Sequence, residues 1–157
     1  MTDEMIVALA KKGGVVQVNF GCEFLSQKSA DTSSFSNPAV REKIASAMKD
    51  FKGTAEERRS RMREVSKELG IKTVPATLND VLAHIAHIVK IAGLNAVGIG
   101  ADFDGVDCVP VGLEDVSKMP NLTRGLLEQG YSEGDIRKIY GENLLRVMRA
   151  AENAARR

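Results

Sequence analysis

Two carboxylates at the end of an apolar, glycine-spaced run are the residues of this chain best placed to do chemistry. Asp102 and Asp104 close the segment 97–105, which predicts a buried strand that carries Asp102 into a cleft. Ligands of α/β proteins bind at the carboxyl ends of strands. A carboxylate there can hold an ammonium group, ligate a metal or give a proton to a leaving amine. The structural alternative is that an aspartate caps the loop by accepting backbone N–H bonds.

The two histidines of the chain, His84 and His87, lie three residues apart on one predicted helix. This spacing places both on one helix face and would allow metal binding. A zinc peptidase site normally needs three or more His, Asp or Glu ligands and an open position. The sequence has no HxD motif, no HExxH motif and no Cys/His cluster. We therefore expect these histidines to pack helices or to support other groups, and we predict no metal ligand in this chain.

Two further candidates lie at the end of the first predicted strand, residues 15–20, and in the turn after it. Asn19 is near the strand end, so its side chain could reach a strand-end cleft. The turn over 21–25 would form the rim of that cleft, where Phe24 could pack on a substrate. Core packing is the alternative role for Phe24. We name Asn19 and Phe24, together with Asp102, as candidate substrate-binding residues.

Composition narrows the classes of partner and the compartment. Lys+Arg 22 against Asp+Glu 21 gives a net charge of +1, so charge offers no argument for binding nucleic acid or a membrane surface. No apolar run approaches the roughly 20 residues that span a bilayer. Cys22 and Cys108 form no CxxC pair, so we expect two free thiols in a reducing compartment. The cytoplasm is the predicted location.

The elements that must position these residues alternate between helix and strand. The pattern predicts, in chain order, a helix capped by Thr2, the strand 15–20, a Ser-rich loop over 26–36, helices from Pro38 to about Phe51 and from Thr54 to about Leu69, a linker over 70–76, a helix capped by Thr77, the strand 96–101, a long loop over 102–120, and helices begun by Asn121 and Ser132. Strands joined by a crossover pair in parallel, and parallel sheets are covered by helices. Two such strands make a poor sheet alone, so the expected fold is α/β and part of a larger structure.

Four segments, taken in order, resemble one known family. They are 13–20, 84–90, 97–105 and the stretch from 112–122 on to 143–147. Together they resemble the closing part of the membrane, or renal, dipeptidases, which are two-zinc metallopeptidases. The resemblance covers nearly the whole of 1–157 and is least distinctive over 36–76, which looks like a variable helical insertion.

This resemblance implies the C-terminal portion of a (β/α)8 TIM-like barrel and zinc-dependent hydrolysis of dipeptides. Two zinc ions at the barrel's C-terminal face would activate the water that attacks the peptide carbonyl. Asp102 matches the family aspartate that contacts the substrate amine region and is the proposed proton donor to the leaving nitrogen. Phe24 falls where some relatives carry a tyrosine. The zinc ligands, and an arginine that binds the substrate carboxylate, are expected upstream, in a missing N-terminal part of the barrel.

Two alternatives to an active dipeptidase stay open. One is an inactive truncated chain that survives as an interaction partner or folding remnant, whose uncovered strand edges and helix faces favour homo-oligomers. The other is a haloacid-dehalogenase-type phosphatase, because residues 102–105 fit its DxDG signature. Asp102 would then be the nucleophile and Asp104 the acid–base. Such a motif usually lies near the N-terminus, before a cap, which is not its position here.

Overall fold

The computed structural model of this chain describes residues 1–33, 36–72 and 74–156, apart from the Arg59 side chain. Within these ranges the strands are β1 (Val16–Asn19) and β2 (Val97–Ala101). The helices are α1 (Asp3–Lys11), α2 (Cys22–Leu25), α3 (Gln27–Thr32), α4 (Pro38–Ala47), α5 (Ala55–Glu68), α6 (Leu78–Ala92), α7 (Met119–Glu128), α8 (Glu133–Arg137) and α9 (Asn143–Ala155). No helix in the described part of the chain is both long and apolar enough to cross a membrane.

The two strands pair in parallel, as the strand–crossover–strand pattern predicted. Val18 lies opposite Ile99, and the register then shifts so that Asn19 lies opposite Ala101. A shift of this kind is a bulge, which turns a side chain in a new direction at the end of a strand. The irregularity therefore falls where the two strands end and where the candidate site residues begin.

One main core joins this sheet to the helices around it. Val81, Leu82, Ile85 and Ile88 of α6 are buried, because residues three and four apart share one helix face. Gly125 lets α7 approach α6 closely, since a Cβ at this position would lie 2.6 Å from Leu82 Cδ1. A larger residue at Gly125 would therefore force the Leu82 side chain to move.

Helix α9 holds the N-terminal end of the sheet through polar side chains. The buried Asn143 donates from Nδ2 to the carbonyls of Leu94 and Val97, each over 2.8 Å. One turn later Arg146 donates to the carbonyl of Gly13, which precedes β1, over 2.6 Å. These bonds give main-chain acceptors a side-chain donor where the strands start.

Helices α4 and α5 form a second, smaller core. Ile44, Met48 and Val65 are buried in a cluster that is separate from the main core in the described part of the chain. The two helices occupy most of 36–76, the predicted variable insertion, and that prediction stays open. Thr73, within the predicted linker, lies outside the described residues.

Two hydroxyls of α3 fasten the far end of this segment to the body of the protein. Ser29 is fully buried and its hydroxyl donates to the Val74 carbonyl. The Val74 N–H donates to Thr32 Oγ1 over 3.1 Å. The chain therefore returns to α3 at Val74, after the α4–α5 segment.

The predicted Ser-rich loop over 26–36 is wrong in its first part, where α3 forms. The predicted rim turn over 21–25 is also helical, as α2. Burial of Ser29 supplies the packing that local propensity did not predict. Ser34 and Phe35 lie outside the described residues.

Helix α7 begins at Met119, two residues before the predicted cap, Asn121. The Asn121 side chain instead donates to the Gly112 carbonyl over 3.0 Å. This asparagine therefore fixes the preceding loop and does not cap a helix.

Candidate active site

The carboxyl ends of β1 and β2 bring together two predicted site residues, Asn19 and Asp102. Asn19 Nδ2 donates to Asp102 Oδ2 over 2.8 Å. The Gly21 N–H in turn donates to Asn19 Oδ1 over 2.7 Å. Asp102 is exposed to solvent, so this carboxylate is fixed by a neighbour and still accessible to a ligand.

The backbone that presents this carboxylate is in an unusual conformation. Ala101 and Asp102 have φ angles of 48° and 75°, in the left-handed region that costs non-glycine residues about 1–2 kcal/mol each. The Gly105 N–H donates to the Asp102 carbonyl over 3.1 Å. A Cβ at Gly105 would collide with Asp102 Oδ1, so a larger residue there would displace the carboxylate from this position. Backbone strain of this kind tends to occur at functional sites.

A disulfide and an aromatic pair join the segments that follow the two strands. Cys22 and Cys108 are bonded, with their Cα atoms 5.5 Å apart, and the Cys22 N–H donates to the Cys108 carbonyl over 3.0 Å. The rings of Phe20 and Phe103 meet edge to face, with centroids 5.6 Å apart. The prediction of two free thiols is therefore wrong. Each cysteine follows one strand of a parallel pair, so the fold brings together two residues that are 86 positions apart in sequence.

Phe24 lies at the surface of the same region. Its side chain is 47% exposed, so the core-packing alternative does not describe it. The ring packs over Gly21, where a Cβ would lie 2.8 Å from Phe24 Cδ2. Phe24 and Asn19 line one groove of about 400 Å³. The aromatic ring of Phe24 and the end of β1 therefore line the same solvent-exposed groove.

Both histidines contact neighbouring elements. His84 Nε2 lies 3.0 Å from the Leu25 carbonyl, and His87 Nε2 lies 2.8 Å from Asp3 Oδ1. Each contact joins α6 to another helix. Among the described residues, no group of three or more His, Cys, Asp or Glu side chains is arranged to hold a metal ion.

The loop after Asp102 is tied down by carboxylates that accept from its own backbone. Glu114 accepts from the Gly112 N–H over 2.7 Å, and this bond holds the pKa of its carboxyl below the ordinary value. Asp115 accepts from the Ser117 N–H over 2.7 Å, and its bonds with this residue, first from the side chain and then from the backbone, lower its pKa too. These bonds give the predicted loop a defined shape.

One edge of β1 is open in the groove. Among the described residues, β1 has a partner strand on one side only. All four residues of β1 line the groove, together with residues of α1 and α6, and these two helices contact each other through Asp3 and His87. The free edge of a strand presents N–H and C=O groups that can pair with another strand. The groove is therefore a place where the sheet could be extended.

Comparison with known proteins identifies a family model and several similar structures. The model for membrane dipeptidases, peptidase family M19, matches residues 1–157. The probable dipeptidase PvdM from Pseudomonas aeruginosa is 25% identical, with a TM-score of 0.64, over 93% of this chain and 39% of its own. A metallopeptidase from Rhodobacter sphaeroides, solved with a phosphinate mimic of the dipeptide L-Ala-D-Ala, is 24% identical, with a TM-score of 0.57, over 92% and 29%. An amidohydrolase from Pseudomonas aeruginosa is 23% identical, with a TM-score of 0.58, over 95% and 39%.

The chain spans only 29–39% of the length of these three structures. It nevertheless superimposes on each of them over more than nine-tenths of its own length. An α/β chain with two parallel strands that matches a fraction of a larger protein is consistent with a partial barrel. The predicted fold class is thereby confirmed.

Proposed function

The chain belongs to the membrane dipeptidase family, and from this premise we propose that it forms one part of a zinc-dependent hydrolase of dipeptides. Members of the family are metallopeptidases. The chain covers 39% or less of the similar structures described above. The activity therefore belongs to the whole protein, to which this chain contributes one portion of the site.

The observation that carries this proposal is the fixed, accessible carboxylate of Asp102 at the carboxyl end of β2. Asn19 donates to Oδ2, and Oδ1 lies next to Gly105, which has no side chain. In the proposed reaction, Asp102 contacts the amine region of the dipeptide and passes a proton to the nitrogen that leaves when the peptide bond breaks. A positioned acid of this kind contributes roughly 10²–10⁴-fold to a rate.

Phe24 is proposed to contact the substrate at the carboxyl end of β1, where its ring packs over Gly21 and the Gly21 N–H donates to Asn19. Its exposed ring offers an apolar wall for a dipeptide side chain, since buried aromatic surface is a strong contributor to binding. A phenylalanine has no hydroxyl, so any polar contact with the substrate must come from another residue. The similar Rhodobacter sphaeroides metallopeptidase binds a mimic of a dipeptide, which supports a substrate of that size.

The described residues of this chain do not fit a zinc site. Zinc in a catalytic site takes three or more protein ligands, and the described residues contain no suitable group of three. His84 and His87 are engaged with Leu25 and Asp3. We therefore assign the zinc ligands to the rest of the protein, as the resemblance implies, and derive no step of the reaction through the metal from these residues.

The open edge of β1 is the proposed junction with that remainder. A parallel strand lying in the groove would pair with β1 on the side opposite β2 and extend the sheet. Ile6 and Ile88 line the groove and offer it apolar contacts. Without such a partner, we propose that the chain alone is inactive and acts as an interaction partner or folding remnant. Association with a second copy of the chain is another way to cover the open edge of β1.

The disulfide bears on the compartment. The prediction of a cytoplasmic location is untested, and its basis, two free thiols, is absent because Cys22 and Cys108 are bonded. Disulfides persist mainly in oxidising compartments, so we propose instead that Cys22–Cys108 forms in such a compartment. The phosphatase alternative receives no support from the family match, which includes Asp102 and Asp104 in the dipeptidase segment.

The test compares the chain alone with the chain co-expressed with the remainder of the protein, by release of amino acids from Ala-Ala and by bound zinc. We expect negligible turnover and zinc for the chain alone, and both for the assembly. In the assembly, Asp102→Ala lowers turnover roughly 10²–10⁴-fold with zinc content unchanged. The matched Asp104→Ala variant keeps its turnover. Stoichiometric zinc on the chain alone, or zinc loss in Asp102→Ala, would contradict the assignment of the ligands.

A further inference from the structure

Asn19 interacts with the candidate catalytic carboxylate in a way that sequence reasoning did not predict. The predicted role for Asn19 was contact with the substrate. In the structure, its amide nitrogen is engaged with Asp102 Oδ2 over 2.8 Å, at the point where the register of the two strands shifts. The side chain therefore crosses from the end of β1 to the end of β2.

The orientation of this amide is fixed by chemistry. A backbone N–H can only donate, and the Gly21 N–H donates to one end of the Asn19 side chain over 2.7 Å. That end must be the oxygen, so the NH2 group must face Asp102. Gly21, Asn19 and Asp102 thus form a directed series of hydrogen bonds, which begins at the backbone and ends on the carboxylate.

Asp102 needs such a partner because its own backbone does not define one direction for the side chain. Asp102 is exposed and has a φ angle of 75°, in a region that side-chain-bearing residues rarely adopt. No burial restricts the carboxylate there. The bond from Asn19 selects Oδ2, and this leaves Oδ1 above the bare backbone of Gly105.

We propose that Asn19 is a positioning residue that acts through Asp102 and not through contact with the substrate. This inference rests on the proposed role of Asp102. Asn19 holds one carboxylate oxygen, so that the other is presented to the substrate in a single orientation. A displacement of about 1 Å at a reacting group can cost roughly 10²-fold in rate, which sets the scale of the expected effect.

The geometry is tested first on the 157-residue chain, without any activity. The ¹H–¹⁵N resonances of the Asn19 side-chain amide report the bond to Asp102. We expect them to move in Asp102→Ala and to stay in place in the matched Asp104→Ala variant. Resonances that are unchanged in Asp102→Ala would overturn the inference, whatever the protein's activity.

The role is tested in the form of the protein that hydrolyses Ala-Ala. We expect Asn19→Ala to lower kcat about 10- to 100-fold with KM nearly unchanged. Asn19→Asp keeps the size and the oxygen that accepts from Gly21 but cannot donate, so it should lower kcat further. A residue that only fills space would show the opposite order, because Asp is the closer replacement in shape.

A double-mutant cycle separates this inference from the proposed function. If Asn19 acts through Asp102, then Asn19→Ala has no further effect on kcat in an Asp102→Ala background. Additive losses, or a raised KM as the main effect, would return Asn19 to substrate contact. If Asp102→Ala alone leaves kcat unchanged, the proposed function of Asp102 fails. If Asp102→Ala lowers kcat and Asn19→Ala does not, only the present inference fails.

Discussion

The two ends of the β1–β2 pair are held together by different kinds of interaction. At the N-terminal end, Asn143 and Arg146 of α9 are committed to main-chain carbonyls, and Asn143 is buried. At the C-terminal end, the disulfide and an aromatic pair join the two segments. The polar residues Asn19 and Asp102 contact each other there and stay accessible. Covalent and apolar contacts supply cohesion at the second end, so its polar groups are available for chemistry.

Removing the disulfide is the strongest challenge to this comparison. Serine at both Cys22 and Cys108 releases a constraint between residues 86 positions apart. The chain-entropy model predicts that about 4.6 kcal/mol of stability is lost. Urea unfolding of the variant measures the loss, and wild type with a reductant should match the variant. If the double variant is as stable as wild type, the remaining contacts hold this end and the comparison fails.

A matched pair of asparagine substitutions sharpens the comparison at an intermediate magnitude. Asn143→Ala removes donors from two carbonyls in a buried site, so we expect a loss of about 2–4 kcal/mol. Asn19→Ala affects a partly exposed group that water can replace, so we expect about 0.5 kcal/mol. Urea unfolding of both variants gives the two values. Equal losses would mean that the C-terminal end depends on its polar pair for stability after all.

The smallest expected effect concerns the loop that follows β2. The bond from the Gly112 N–H lowers the pKa of Glu114 in the folded protein. Because the pKa of Glu114 is lower in the folded protein than in the unfolded chain, its ionised carboxylate stabilises the fold at pH values above the ordinary glutamate pKa. This contribution is lost as the pH falls through the folded pKa. We expect an NMR titration of Glu114 with a midpoint below 4.5. Glu114→Gln should remove this part of the acid dependence, and an unshifted midpoint would argue against a fixed loop.

The sequence predicted those parts of the site that local patterns define. An apolar strand with glycines that ends in Asp102 is readable without a structure, and so is the alternation that defines β1. Parallel pairing also implied that Asn19 and Asp102 lie at one edge of the sheet, because both follow strands. The sequence therefore indicated that these two side chains are close enough to interact. It did not indicate the register shift between the strands, which allows their hydrogen bond.

The remaining features depend on contacts between residues distant in sequence. The disulfide was missed because no spacing rule links Cys22 to Cys108, although each follows a strand of the parallel pair. Helix α3 was missed because serine-rich sequence favours loops, and burial of Ser29 is a tertiary effect. The proposed junction at the open edge of β1 rests on the pairing of β1 with one strand only among the described residues, which the sequence pattern did not define.

The closure of the α4–α5 segment onto α3 has a consequence for how this protein can change in evolution. Thr32 and Val74 are hydrogen-bonded, so the two ends of the intervening segment are already adjacent. Doubling the length of a flexible loop with fixed ends costs only about 0.6 kcal/mol. Residues can therefore be gained or lost between these anchors while the geometry of Asn19 and Asp102 is preserved. The protein can acquire a new outer surface at this point without redesign of its site.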